Sequence, residues 1–333
     1  MTGPPAPVSP GGAAPPLLAP RCCKLLVNRR AGRNATHPVQ SAAIIRAYER
    51  LGEVSTVEAL SGLDALLRRW KDEGVDLLAL SGGDGTMQRA LEAMLRIWGT
   101  APLPRLLFLD GGTAGLVPRS AGVGSSLDAV ARVGVAIETG RPVPVRAFPT
   151  LRVGGRPAFT VAIGSFKRMA EEYVVRGRRG GGDLPRLGFK LFGSWLACGP
   201  FAARMLEPLS YDVQLDGEEV APGGLTGVHI SVLDRFLGAA YRRLDLGRRD
   251  LRVVALAPMT RSAMVGGLLP FGLGVGPLPR AMRVTAASGV TLRADSPIRY
   301  MADGEFYEGE GPLRIEPGIE LSVVRWTGKV AAV

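Results

Sequence analysis

Apolar positions in the first half of the chain alternate between two textures. Unbroken apolar runs at residues 24–28 (KLLVN), 75–80 (VDLLAL) and 105–110 (RLLFLD) lack the polar alternation of a half-exposed strand, which marks strands buried on both faces. Between them, apolar residues recur at helical spacing. The first such stretch opens with Pro38 in its first turn and stops at Gly52, the usual signals for a helix start and stop. Residues 53–60 (EVSTVEAL) read as a further strand. Ser61 can cap the next helix, residues 62–74, whose Leu63, Leu66, Leu67 and Trp70 share one face before Gly74 ends it. Met87, Ala90, Leu91, Met94, Leu95 and Trp98 line a third helix, starting at about Thr86. Buried strands separated by amphipathic helices predict an α/β domain, a parallel sheet with helices on both faces, over residues 21–145.

Past Arg141 the runs become short, often alternating, and bounded by Gly, Pro or Asp-Gly, as in residues 211–220 (YDVQLDGEEV) and 227–234 (GVHISVLD). That texture predicts a mostly antiparallel β domain over residues 146–333, with one or two helices around residues 166–205. Its last strand can return toward the first domain. Residues 176–186 (RGRRGGGDLPR) read as a mobile basic loop. Residues 1–20, rich in Pro, Gly and Ala and without a charged side chain, read as a disordered tail with no signal-peptide features.

Composition narrows the class. Hydrophobic residues make up 46% of the 333, enough for packed cores. No run reaches the ~18 apolar residues of a membrane span. Residues 191–203 (LFGSWLACGPFAA), flanked by Lys190 and Arg204, suit a buried or interfacial segment. Three cysteines, two adjacent, and two histidines give neither a disulfide framework nor a zinc-ligand spacing; a reduced, cytoplasmic protein is expected. The net charge of +11 is almost all arginine. It reflects either compositional bias or attraction to an anionic partner, a nucleotide or an acidic lipid surface. Nucleic acid fits less well, because the arginines are scattered and no aromatic-basic stacking motif occurs.

The candidate chemistry lies where strands turn into helices. Residues 78–95 (LALSGGDGTMQRALEAML) place Gly82, Gly83, Asp84, Gly85 and Thr86 between two apolar runs. Ligands of open parallel sheets bind at the carboxyl ends of strands. There, glycines let backbone N–H groups approach a ligand, and a helix start adds unpaired donors. That is a phosphate cradle. An aspartate among those donors suggests a cation or a reacting hydroxyl as well; a plain tight turn is the bland alternative. Residues 27–32 (VNRRAG) and 109–115 (LDGGTAG) form two more such seams, and together the three describe a nucleotide pocket. Neither a P-loop nor a G-x-G-x-x-G fingerprint is present.

The ordered set NRRAG, SGGDGT, LDGGTAGLVPRSAG and a late ADGE at residues 302–305 resembles the catalytic domain of diacylglycerol kinases and sphingosine kinases. The resemblance implies a first domain that binds ATP, a β-rich second domain that holds a lipid at a membrane surface, and Mg²⁺ between them. It implies nucleotide contacts from Asn28, Arg29, Arg30, Ala31 and Gly32, from Gly82, Gly83, Asp84, Gly85 and Thr86, and from Gly112 and Thr113. It implies a proton acceptor in Glu305, as in bacterial lipid kinases of this type, or in Asp84, as in sphingosine kinases. No metal ligand is assigned. The chain departs from the family where Gln88 and Arg89 replace Asn-Glu, where Gly115 and Leu116 replace Asn-Asp, and where Asp110 replaces Pro; Arg119 is retained. These departures leave open a catalytically silent nucleotide- or lipid-binding relative, acting as a sensor or partner protein. An NAD kinase keeps the GGDGT turn but explains the remaining motifs less well. Asp-Gly-Glu also occurs at residues 216–218, where an ordinary hairpin tip is expected.

Overall fold

The computed structural model describes residues 20–58, 62–113, 115–175, 193–194, 199–220, 224–233, 250–258 and 280–325. In chain order the elements are β1 (Cys23–Asn28), α1 (Gly32–Thr36), α2 (Pro38–Tyr48), β2 (Glu53–Val57), α3 (Leu63–Asp72), β3 (Leu77–Gly82), α4 (Asp84–Trp98), β4 (Arg105–Asp110), α5 (Leu116–Ser120) and α6 (Ser126–Glu138). There follow β5 (Val145–Val153), β6 (Arg156–Ala158), β7 (Thr160–Gly164), α7 (Ser165–Val175), α8 (Pro200–Met205), β8 (Asp212–Leu215), β9 (Glu218–Glu219), β10 (Gly227–Ser231) and β11 (Leu251–Leu256). Five strands close the chain: β12 (Met282–Ala287), β13 (Val290–Arg293), β14 (Ile298–Ala302), β15 (Glu305–Gly309) and β16 (Leu313–Val324).

Four parallel strands in the order β2-β1-β3-β4 form the N-terminal sheet, and β1 and β3 are buried almost throughout. Crossovers between parallel strands are right-handed. The β1-to-β2 connection runs one way along the sheet, while β2-to-β3 and β3-to-β4 run the other. That places α2 on one face and α3 and α4 on the opposite one. The packing agrees, α3 against α4 and α2 against α6. The strand order reverses between β1 and β3, so the carboxyl ends of these two strands flank a topological switch point.

The remaining strands make the mostly antiparallel part in two pieces. One is a six-stranded antiparallel sheet, β12-β11-β10-β7-β14-β15. The other extends the first sheet, where β16 runs parallel to β4 at Val323 and antiparallel to β13 and β5. A register irregularity between Pro317 and Glu320 bends β16, so β13 borders one end and β4 the other. The last strand thus returns to the parallel sheet, and one ten-stranded sheet carries strands from both halves of the chain. One hydrophobic core spans both sheets. Phe108 of β4, Phe148 of β5 and Phe159, at the corner between β6 and β7, meet with ring centroids 5.9 to 6.1 Å apart.

Some elements differ from the sequence reading. Residues 32–36 form a short helix rather than a plain turn, and α4 begins at Asp84, two residues before Thr86. Gly62, at φ 87°, occupies the N-cap of α3; Ser61 lies outside the described residues, as do residues 1–19 and the predicted basic loop at 176–186. Of residues 191–203, those from Pro200 belong to α8, whose Ala202 and Met205 are buried beside Met169 of α7. Among the described residues no helix is long and apolar enough to cross a membrane.

Candidate active site

The three glycine-bearing turns meet at the switch point. Asn28, the last residue of β1, donates through Nδ2 to Thr86 Oγ1 at 2.9 Å, joining the first turn to the start of α4. Its Oδ1 accepts from Arg30 N at 3.0 Å, so the same side chain also shapes its own turn. The first turn reaches the third through Arg33 N and Asn34 N, each 3.0 Å from Gly111 O. Gly32 and Thr113 touch, since a Cβ on Gly32 would overlap Thr113 Oγ1. The second turn reaches the third through Gly111 N, 3.2 Å from Gly82 O. A Cβ on Gly112 would strike Gly83 Cα and lie 3.2 Å from its nitrogen, so these two backbones approach as only glycine permits.

Helix α4 starts between these turns with Gly83 extended at its N-cap and no side chain capping it. Its positive end and first-turn N–H groups therefore point into the convergence of the turns. Asp84 faces elsewhere. Its carboxylate accepts from Val117 N at 3.0 Å and Leu116 N at 3.3 Å, and so caps α5. Burial pushes the Asp84 carboxyl above its ordinary pKa; those two N–H groups and Arg119 oppose the rise, and Asp110 adds to it. Of the first-turn residues, Arg29 is exposed, with its N–H on Val57 O at 3.0 Å. Arg30 lies 3.8 Å from Glu58 at the end of β2.

The second sheet supplies the opposite wall. Asp303 and Gly304 form the two-residue turn between β14 and β15, with φ of 47° and 93° and Ala302 paired to Glu305, the backbone signature of a primed hairpin turn. The Asp303 carboxylate is buried and accepts from Thr160 N (2.8 Å), Phe159 N (2.9 Å) and Thr160 Oγ1 (3.0 Å). Those amides lie where the chain passes from β6 in the first sheet to β7 in the second, so Asp303 pins that corner. Burial pushes its carboxyl up to about 7, with the charge of Asp84 adding to the rise against the pull of its donors. The pinned turn rests on Gly85: a Cβ there would sit 3.2 Å from Asp303 O and 3.6 Å from Glu305 Oε1. Glu305 is thereby held against the first turn of α4, half exposed, with Oε2 3.0 Å from Arg89 Nη2. Asp84 and Glu305, far apart in sequence, thus flank the same helix start, whereas Asp216 of the other Asp-Gly-Glu is an exposed hairpin tip that accepts from Ser288 and Gly289.

Two residues that hold the site together went unread in the sequence. Asn34 is buried, and its amide donates to Asn28 O (2.9 Å), Ser81 Oγ (3.2 Å) and Ser81 O (3.3 Å). With its backbone N–H on Gly111 O, it ties the ends of β1, β3 and β4 together. Arg33 lies 3.1 Å from Asp110, the residue at the position where the family resemblance expects proline.

Residues 23–145 match the family model described as "Diacylglycerol kinase catalytic domain". Over those residues the chain is similar to a diacylglycerol kinase catalytic domain. The first, second and third turns all fall within the matched residues, and Glu305 lies outside them. No curated protein matches the chain. Solved structures carrying the name diacylglycerol kinase, from Bacillus anthracis str. Sterne, share its fold over 92% of this chain. One is 15% identical, with a TM-score of 0.66 and 97% of its own chain covered. A second is 14% identical, with a TM-score of 0.68 and 96% covered. At these identities the likeness concerns the fold.

Proposed function

We infer that the protein is an ATP-dependent lipid kinase: residues 21–145 bind the nucleotide, residues 146–333 hold a lipid bearing a free hydroxyl, and Glu305 is the base. The observation that carries this reading is the seating of Glu305 on Gly85, with a carboxylate from the second sheet beside the N-terminus of α4 where the three turns converge. The turns at Asn28–Gly32, Gly82–Thr86 and Gly112–Thr113 cradle the polyphosphate with backbone N–H groups and the α4 dipole. Glu305 takes the proton of the lipid hydroxyl as that oxygen bonds to the terminal phosphorus. The bond from that phosphorus to the bridging oxygen breaks, and ADP leaves with its electron pair. The products are a lipid phosphate monoester, ADP and one proton on Glu305. Asp84 sets the position of α5 rather than moving a proton.

Among the described residues no cluster of three acidic, His or Cys side chains forms a metal cage, and the carboxylates of Asp84 and Asp303 already have donors. Mg²⁺ binds chiefly through substrate phosphates with few protein ligands rather than in an all-protein cage, so the phosphates of the nucleotide would supply most of its ligands here. When bound, the ion neutralises phosphate charge. The arginine excess favours an anionic bilayer surface as the place of encounter.

The test is transfer of labelled phosphate from ATP, with Mg²⁺, to a panel of lipid micelles. Glu305→Gln is expected to lower turnover by roughly 10²–10⁴-fold while ATP still raises the unfolding temperature. The pairing of Glu305 with Arg89 favours a second reading, a nucleotide-binding relative without turnover. Stabilisation by ATP with no lipid labelled by the wild type would establish that one instead.

A further inference from the structure

Arg89 is the cation paired with the proposed base, and the reaction above makes no use of it. It lies one helical turn beyond Gly85 on α4, with Nη2 3.0 Å from Glu305 Oε2 and about half of each side chain exposed. The other oxygen of Glu305 faces Gly85. The carboxylate therefore bridges the phosphate-facing end of α4 and a guanidinium. On its other side Arg89 borders a groove of about 350 Å³, lined also by Glu92, Arg96, Arg156 and Tyr307. The two other guanidiniums there have carboxylates of their own, Arg96 with Asp64 at 2.6 Å and Arg156 with Glu92 at 3.5 Å. Arg89 can consequently turn about its long side chain without unpacking the core.

We propose that Arg89 reads the terminal phosphate of a bound nucleoside triphosphate and, in doing so, leaves Glu305 free to accept the hydroxyl proton. The chemistry rests on the kinase reading; the recognition does not. A terminal phosphate carries more negative charge than one carboxylate and offers paired oxygens to the planar guanidinium fork. It arrives at the end of α4, which Glu305 already touches. One charge-assisted pair is exchanged for another, and the carboxylate that loses its partner is the one required as the base. A nucleoside diphosphate lacks the group that Arg89 reads, so the base stays paired until a competent donor is bound.

The experiment compares wild type, Arg89→Gln and Arg89→Lys in thermal unfolding with ATP, with ADP and with neither, beside steady-state turnover. ATP is expected to raise the wild-type midpoint more than ADP does. Arg89→Gln is expected to reduce the ATP shift to the size of the ADP shift, and Arg89→Lys to keep part of the difference. In turnover, Arg89→Gln raises KM for ATP and lowers kcat, about ten-fold or more in kcat/KM, with KM for the lipid unchanged. If Arg89→Gln still prefers ATP as strongly as wild type does, or if wild type does not distinguish ATP from ADP, the proposal is overturned. A pair that merely ties the two sheets together would lower the ligand-free midpoint and leave the ATP–ADP difference intact, which also overturns it. A wild type that favours ATP through Arg89 but labels no lipid would retain the Arg89 assignment and remove only the transfer reaction.

Discussion

Asp216 and Asp303 occupy the same backbone conformation, φ 52° and 47°, each followed by a glycine and a glutamate. What separates them is what their carboxylates hold: a surface turn in one case, the corner between two sheets in the other. Local sequence encodes the turn, but not the partners, which lie 143 and 144 residues away. Asn34 was hidden for the same reason, because a lone asparagine in a turn looks like any other polar loop residue. Its orientation is set by two carbonyls, Asn28 O and Ser81 O, which can face only the NH₂ end of the amide. Asn34→Asp keeps the shape and aims an oxygen at both. We expect a loss of about 1–3 kcal/mol or more in urea denaturation, from repulsion and an unpaired buried group, together with weaker stabilisation by ATP. Normal ATP stabilisation in this variant would show that Asn34 serves the fold and not the site.

At the scale of elements, the parallel sheet and its glycine turns were legible because both leave marks in the backbone's own requirements. Strands buried on two faces must be apolar throughout, and turns that approach one another must shed their Cβ atoms. Helix α5 was not legible, since its N-terminus is capped by Asp84 from 32 and 33 residues upstream rather than by a neighbour. The return of the last strand was expected, but not that it brings β5, β6, β8, β9 and β13 into the same sheet as β1 to β4. The approach of Gly112 to Gly83 can be tested directly. Gly112→Ala places a methyl group against backbone atoms that cannot rotate away, so we expect about 1–3 kcal/mol of destabilisation and loss of ATP stabilisation. At Gly124 a Cβ meets nothing within 4 Å, and Gly124→Ala should stay within about 0.5 kcal/mol of wild type. Equal behaviour of the two variants would mean that the turns do not need their close contact.

For the whole molecule, two buried titratable groups have effects on stability that oppose each other. Burial and the nearby charge of Asp84 hold Asp303 up to about 7, against 3.8 ordinarily. The folded state therefore keeps a proton that the unfolded chain has released, and the contribution is full below the ordinary value and lost as pH rises through about 7. His229 in β10 is buried against Phe166 and held down to about 3, against 6.5 ordinarily. Here the unfolded chain takes up a proton that the folded state refuses, so stability is present above 6.5 and lost as pH falls toward 3. Between about pH 5 and 6.5 the two slopes, each at most about 1.4 kcal/mol per pH unit, have opposite signs and largely cancel. Glu53, held down to about 2 by Arg69 first and by Lys24, loses its contribution only below its ordinary 4.5 and so leaves that window undisturbed. Removing one member should expose the other. Asp303→Asn should make the free energy of unfolding rise with pH across the window, and His229→Gln should make it fall. Urea titrations at several pH values read both slopes whatever each substitution costs at baseline. Parallel curves for wild type and both variants would show that neither group keeps its displaced protonation in the folded protein, and that the corner pinned by Asp303 is open to water.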